Sequence, residues 1–217
     1  MQLFLDGSDI DKIRKYCGIG LIDGVTTNPS IILKSGKNMI EVISELAGIV
    51  SGSVSAEVSA LDSDTMVQEG IKLAEIAENV TVKLPITWDG LKACKTLSNK
   101  GISVNMTLCF SSSQALLAAK AGAEYVSPFI GRLDDLNLEG IDLISDIKLI
   151  YSNYKFSTKI LAASIRTINH VKQCARLGAD VATIPLDIFE KLVKHPLTDY
   201  GLSQFTADWE KTGQSII

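Results

Sequence analysis

The chain has 217 residues, 46% of them hydrophobic, with a net charge of −4 and two histidines. That length suits one sizeable domain over 1–217, and no Pro-, Gly- or Ser-rich linker divides it. The composition excludes a basic nucleic-acid surface. No apolar run is long enough to cross a bilayer, and the N-terminus has no signal-peptide pattern, so a cytoplasmic protein without membrane partners is expected. The four cysteines, Cys17, Cys94, Cys109 and Cys174, lie far apart in the sequence. They suggest reduced thiols, with no zinc site or disulfide framework.

Taken in order, Leu3 to Asp6 reads as a strand and Ser8 to Tyr16 as a short surface helix. Gly24 to Asn28 is a second strand; Pro29 follows it, then a helical pattern from about Asn38 to Val50. The third strand is Val54 to Ser59 with a helix over Asp64 to Ala77. The fourth is Val80-Thr81-Val82-Lys83-Leu84-Pro85. Thr87 caps a helix from Asp89 to Asn99, and Ser103 to Cys109 forms strand five. Ser111 and Gln114 have capping-box spacing for a helix to Ala121. Tyr125 to Ile130 is strand six, Asp142 to Tyr154 helical, Lys159 to Ser164 strand seven, Thr167 to Leu177 helical, and Val181 to Leu186 strand eight. Two helical stretches finish the chain, the last forming a tail over 198–217.

Three junctions share one plan: Asn99-Lys100-Gly101-Ile102-Ser103, Lys120-Ala121-Gly122-Ala123-Glu124-Tyr125 and Arg176-Leu177-Gly178-Ala179-Asp180-Val181. Each closes a helix with Gly and opens an apolar strand, as repeated right-handed βα units do. The predicted fold is α/β, a (β/α)8 TIM barrel with an extra C-terminal helix. A doubly wound open sheet is the alternative, and the absence of a Gly-x-Gly-x-x-Gly turn weighs against it.

Lys83 sits inside a β-branched, apolar strand, where an unpartnered ammonium is rarely found. Its amine either snorkels to water at the strand end or is a desolvated nucleophile able to form a Schiff base. In such a barrel, chemistry gathers at the C-terminal strand ends. These carry Asp6, Asn28, Glu57, Lys83, Asn105 with Thr107, Ser127 and Ser164, with Arg132 and Arg166 in two loops. The last strand alone adds no polar residue. Period-two alternation puts Ser103, Asn105 and Thr107 on one face and Ser55, Glu57 and Ser59 on another. Singly, Asp6 and Asn28 could be turn or capping residues, Thr107 and Ser164 could be N-caps, and the arginines could be solvated. Together they describe a metal-free aldol site: Lys83 as Schiff-base former and Asp6 as acid/base. Glu57 and Thr107 would hold a proton-shuttling water, Asn28 and Asn105 the substrate hydroxyls, and the arginines a phosphate.

Gly24-Val25-Thr26-Thr27-Asn28-Pro29-Ser30, Val82-Lys83-Leu84-Pro85, Ser127 to Asp135 (SPFIGRLDD), Ala162-Ala163-Ser164-Ile165-Arg166 and His195-Pro196-Leu197-Thr198-Asp199, with Asp208-Trp209, resemble the transaldolase family. The match is to its short microbial branch, which includes fructose-6-phosphate aldolase. The resemblance implies transfer of dihydroxyacetone from sedoheptulose 7-phosphate to glyceraldehyde 3-phosphate with no cofactor, and sugar phosphates as the only small-molecule partners. It gives Lys83, Asp6, Glu57 and Thr107 catalytic roles. Asn28, Asn105, Ser127, Phe129, Arg132, Ser164 and Arg166 would bind substrate, and pentamer-based homo-oligomers are expected. Lyase members carry Gln and Tyr where this chain has Glu57 and Phe129. Family members usually have Thr or Ser where this chain has Gly7, a departure bearing on the rigidity of Asp6. Two alternatives to a transferase are a lyase releasing free dihydroxyacetone and a non-catalytic sugar-phosphate-binding barrel.

Overall fold

A computed structural model describes residues 1–217. Eight parallel strands close into a barrel in sequential order, β1 pairing with β8. They are β1 Gln2–Asp6, β2 Gly24–Thr26, β3 Val54–Glu57, β4 Val80–Pro85, β5 Val104–Cys109, β6 Tyr125–Pro128, β7 Lys159–Ala162 and β8 Val181–Pro185. The helices are α1 Ile10–Gly18, α2 Pro29–Ser35, α3 Met39–Ile49, α4 Ser63–Ala74, α5 Trp88–Asn99, α6 Ser112–Ala121, α7 Ile130–Asp134, α8 Gly140–Tyr154, α9 Ile168–Leu177, α10 Leu186–Phe189 and α11 Pro196–Thr212. This is a (β/α)8 barrel with an extra C-terminal helix, and none of its helices is long and apolar enough to cross a membrane.

Alternation along the strands divides the apolar residues between two cores. Leu5, Val25, Val54, Val82, Met106 and Ile184 face the helices and join one large cluster. Phe4, Tyr125, Leu161 and Val181 form a second, small cluster on the inner side, low in the barrel. Gly24 makes room there, because a Cβ at that position would lie 2.6 Å from the Phe4 ring and 2.7 Å from the Ser53 carbonyl oxygen. Above this plug the interior is polar. At the other end of the barrel, where β3, β4 and β5 begin, Ser53, Thr81 and Ser103 form a hydroxyl ladder with spacings of 2.7 and 3.2 Å.

The three expected glycine junctions are present, with Gly101, Gly122 and Gly178 at φ of 78°, 91° and 77°. Thr87 caps α5 and Ser111 caps α6, as expected. Several boundaries differ from the sequence reading. Strand two stops at Thr26, because Asn28 turns the chain and its Oδ1 accepts the Ile31 N–H at 3.0 Å, starting α2 at Pro29. Strand three stops at Glu57, and Ser59 is drawn outward by Glu69, whose carboxylate accepts its N–H and its hydroxyl at 2.7 Å each. Strands six and seven end at Pro128 and Ala162, where a single Phe129–Ala163 bridge replaces the ladder. Asp9, outside the strand end that holds Asp6, caps α1. Helices α2 and α7 have 7 and 5 residues, too short to show a helical period in the sequence.

Candidate active site

Strand register brings the chemistry together. Glu57 lies beside Lys83, and Lys83 beside Asn105, in adjacent inward positions of β3, β4 and β5. The Lys83 side chain is 8% exposed, with Nζ 2.9 Å from Glu57 Oε2 and donating to the Thr27 carbonyl oxygen at 3.0 Å. Its amine is therefore held inside the barrel mouth and does not snorkel. A buried cation fixed by one carboxylate and one backbone carbonyl is rigidly aimed.

Across the barrel, Asp6 Oδ1 accepts the Thr26 hydroxyl at 2.8 Å. Thr26 Oγ1 also lies 2.6 Å from Thr183 Oγ1, and because its own proton is committed to Asp6, Thr183 is the donor of that pair. Burial pushes the Asp6 carboxyl above its ordinary value, while the Thr26 hydroxyl and the Lys83 charge pull the other way. The backbone beside it is tied down, since the Gly7 N–H donates to the Thr26 carbonyl at 3.1 Å.

Asp6, Asn28, Lys83, Thr107, Ser127, Phe129, Arg132 and Ser164 line one cavity of about 140 Å³, together with Thr26, Ala163 and Thr183. Thr107 Oγ1 is the one buried side-chain polar atom with no hydrogen-bond partner. A buried hydroxyl left alone in this way marks a place where a ligand or water belongs. The register of β5 on β6 shifts between Met106 and Cys109, and Leu108 takes φ of 58° in that bulge, just past the hydroxyl. Phe129 is braced from two sides, by Phe110 edge-on at 5.5 Å and by the Arg132 guanidinium at 5.1 Å from its ring centre.

Three expected residues stand back from that cavity. Asn105 is fully buried, its Oδ1 accepting from Ser127 at 2.8 Å and its Nδ2 facing Ser55 at 3.4 Å, so it orients Ser127 from behind. Glu57 faces a second cavity of about 520 Å³, shared at its edge by Asn28 and walled by Pro29, Ile32, Leu33, Met39 and Val58. Arg166 has its guanidinium engaged by both Asp135 carboxylate oxygens, one at 2.7 Å. Thr26, Thr27 and Thr183 complete the site without having been singled out, and Ser55 joins them on the face it was expected to share with Glu57. Thr26 and Thr27 stand in the Val25-Thr26-Thr27-Asn28 run, and Thr183 is the inward residue of the strand expected to contribute nothing.

Residues 3–216 match the family described as Transaldolase/Fructose-6-phosphate aldolase. The chain belongs to this family. A protein of Roseobacter denitrificans named "Probable transaldolase" is 64% identical over 217 residues, covering 100% of both chains. Proteins of the same name from Parvibaculum lavamentivorans and Dinoroseobacter shibae are 61% and 60% identical, again covering 100% of both chains. Among solved structures, thiamine phosphate pyrophosphorylase from Pyrococcus furiosus superposes with a TM-score of 0.58 over 85% of each chain at 13% identity. That likeness concerns the barrel fold alone. Membership makes this chain an enzyme of the transaldolase and aldolase family, as its strand-end residues lead one to expect.

Proposed function

We propose that the chain is a transaldolase, moving a dihydroxyacetone unit from a ketose phosphate to an aldose phosphate through a Schiff base on Lys83. The observation that carries this reading is the buried Lys83 amine in one small cavity with the Asp6 carboxyl. Glu57, 2.9 Å from Nζ, takes a proton from the ammonium, and the free amine adds to the ketose C2 carbonyl. The carbinolamine loses water, which Glu57 and the unpartnered Thr107 hydroxyl hold, and leaves an iminium at C2. Asp6 then removes the C4 hydroxyl proton, the C3–C4 bond breaks, and its electrons form an enamine on Lys83. The shortened aldose leaves. An acceptor aldehyde is attacked by the enamine, Asp6 returns its proton to the new hydroxyl, and hydrolysis of the iminium frees a ketose three carbons longer than the acceptor. A carboxyl raised by burial is the stronger base for the first of these proton transfers.

Asn28 and Ser127 would hold the substrate hydroxyls, with Asn105 orienting Ser127. Arg132 and Ser164 would take the phosphate, joined by Arg166 once it exchanges Asp135 for the phosphate oxygens. Glu57 together with Phe129 favours the transferase over the lyase. The braced Phe129 ring keeps one cavity wall apolar and without a hydroxyl to orient water at the enamine. A homo-oligomer is part of the proposal, supported by α11, none of whose residues is buried.

Incubation with fructose 6-phosphate and borohydride, followed by digestion, tests the chemistry. A dihydroxyacetone-sized mass increment is expected on the peptide carrying Lys83, and its absence would refute the Schiff base. Free dihydroxyacetone released rapidly without an acceptor aldehyde would replace the transferase with the lyase. Binding of sugar phosphate without any adduct would leave a non-catalytic barrel.

A further inference from the structure

The two segments assigned to the phosphate, α7 and the loop after β7, are tied together outside the cavity by one histidine. Thr167 caps α9 and accepts the His170 N–H at 3.1 Å. The imidazole reaches back, and its Nδ1 accepts the Arg166 N–H at 3.4 Å. The same reciprocal plan stands at the start of α6. There Ser111 accepts the Gln114 N–H at 3.3 Å, and Gln114 Oε1 accepts the Phe110 N–H at 2.8 Å. A glutamine closes the box and stops. An imidazole has a second nitrogen, and His170 Nε2 lies 3.3 Å from Asp134 Oδ2 on α7, with the ring only 15% exposed. Nδ1 accepts, so the ring proton is on Nε2, pointing at the carboxylate. Asp134 is anchored in turn, because its Oδ1 accepts the Gly140 N–H at 3.0 Å.

The strut ends four residues before His170, at the backbone of Arg166, and two residues earlier lies Ser164. Ser164 holds φ of 56°, a left-handed conformation that is unfavourable for a non-glycine residue. Its carbonyl oxygen accepts the Gly131 N–H at 3.0 Å, while its residue lines the cavity. Such a conformation persists only where the surroundings over-determine it. Gly131 fixes Ser164 from one side and the His170–Asp134 strut fixes the following backbone from the other.

We propose that His170, acting through Asp134, is a positioning residue that sets the Ser164–Arg166 backbone for an incoming phosphate. The inference rests on the reading that Ser164 and the arginines seat that phosphate. His170 touches no reacting atom, so its removal alters recognition of the phosphate and leaves the chemistry at Lys83 alone.

The test compares the unmodified chain with His170→Ala, His170→Gln and Asp134→Asn. Calorimetry reads the affinity for inorganic phosphate, and steady-state kinetics compare fructose 6-phosphate with unphosphorylated fructose. His170→Ala is expected to weaken phosphate and raise KM for the phosphorylated ketose by roughly tenfold, one lost hydrogen bond's worth. Turnover of fructose stays unchanged. His170→Gln restores the acceptor for the Arg166 N–H, as Gln114 does at α6, and recovers most of the loss. Asp134→Asn keeps an acceptor for Gly140 and removes the charge facing Nε2, giving a smaller loss in the same direction. If His170→Ala does not fold, the Gln and Asn variants carry the comparison. Unchanged phosphate affinity in His170→Ala, or in Asp134→Asn where His170→Ala does not fold, or equal losses with both ketoses, would overturn the proposal, as would an unmodified chain without phosphate affinity. Calorimetry needs no turnover, so a missing borohydride adduct sinks the proposed reaction and leaves this result standing.

Discussion

Burial raises the Asp6 carboxyl's proton affinity more than the Thr26 hydroxyl and the Lys83 charge lower it, and this couples the base to stability. The folded chain then binds more protons at Asp6 than the unfolded chain does between the ordinary value of 3.8 and the raised one. Stability from this group is fully present below 3.8 and is lost as pH rises through the raised folded value. Asp6→Asn removes that loss and leaves an acceptor for Thr26. It should abolish transfer while raising the melting temperature at neutral pH, by about 2–4 °C per kcal/mol recovered. Melting curves across pH check this, and an Asp6→Asn slope equal to that of the unmodified chain would contradict it. Phe129→Tyr acts on the other step: its hydroxyl can orient water beside the enamine, so free dihydroxyacetone should increase relative to transfer while Lys83 is still trapped by borohydride. Loss of the adduct instead would show that the ring only supports the fold. Lys83 and Glu57 were legible as candidates because charges in apolar strands demand partners, whereas Asp6, singly a turn or capping candidate, was legible only together with the other strand ends. Thr26 and Thr183 were not, since a threonine in a strand also satisfies ordinary β preference and only the closed barrel brings the two hydroxyls together.

Single elements show why glycine counts are poor guides and glycine surroundings good ones. A Cβ on Gly24 would strike the Phe4 ring and the Ser53 carbonyl, one of them immovable backbone. Gly24→Ala should destabilise the barrel by about 1–3 kcal/mol in denaturant unfolding. Gly7, beside Asp6, is different: it has no positive φ, and a Cβ there would meet only Leu186 Cδ1 at 3.6 Å, an ordinary contact. Gly7→Ala should stabilise by about 0.4–1 kcal/mol through the unfolded chain, with transfer activity kept because the Thr26 hydrogen bond already fixes Asp6. Activity lost in Gly7→Ala would mean that the base needs a flexible neighbour. Helix ends at Gly101, Gly122 and Gly178 were legible from the left-handed glycine that closes each, while Gly36, which closes the short α2, gave no such signal. Helix α8 also ends at the expected Tyr154, although Lys155 at φ of 52° closes it without the glycine signal. The pairing of Arg166 with Asp135 was out of reach of any pattern, since it depends on how the neighbouring segments after β6 and β7 meet.

At the scale of the whole molecule, the repeated junctions pointed to right-handed βα units, which build open sheets as well as barrels; it is the pairing of β1 with β8 that closes the sheet and leaves no free edge. What lies beyond the eighth unit follows a different logic. Helix α11 has 17 residues and buries none of them against its own barrel. Leu202, Phe205 and Trp209 recur at helical spacing on one face and are 61%, 75% and 45% exposed. Covering side chains of this size is worth about 1.5–3 kcal/mol each, so three leave a strong drive toward another surface, and a second copy of the chain is the surface always at hand. Because α11 contributes nothing to either core cluster, removing residues 199–217 should leave the barrel folded, with its far-ultraviolet circular dichroism reduced only by the missing helix. Sedimentation should then report a smaller particle than the full chain gives at equal concentration. A truncated chain that keeps its full oligomer size would show that other barrel faces make the assembly and that α11 has no part in it.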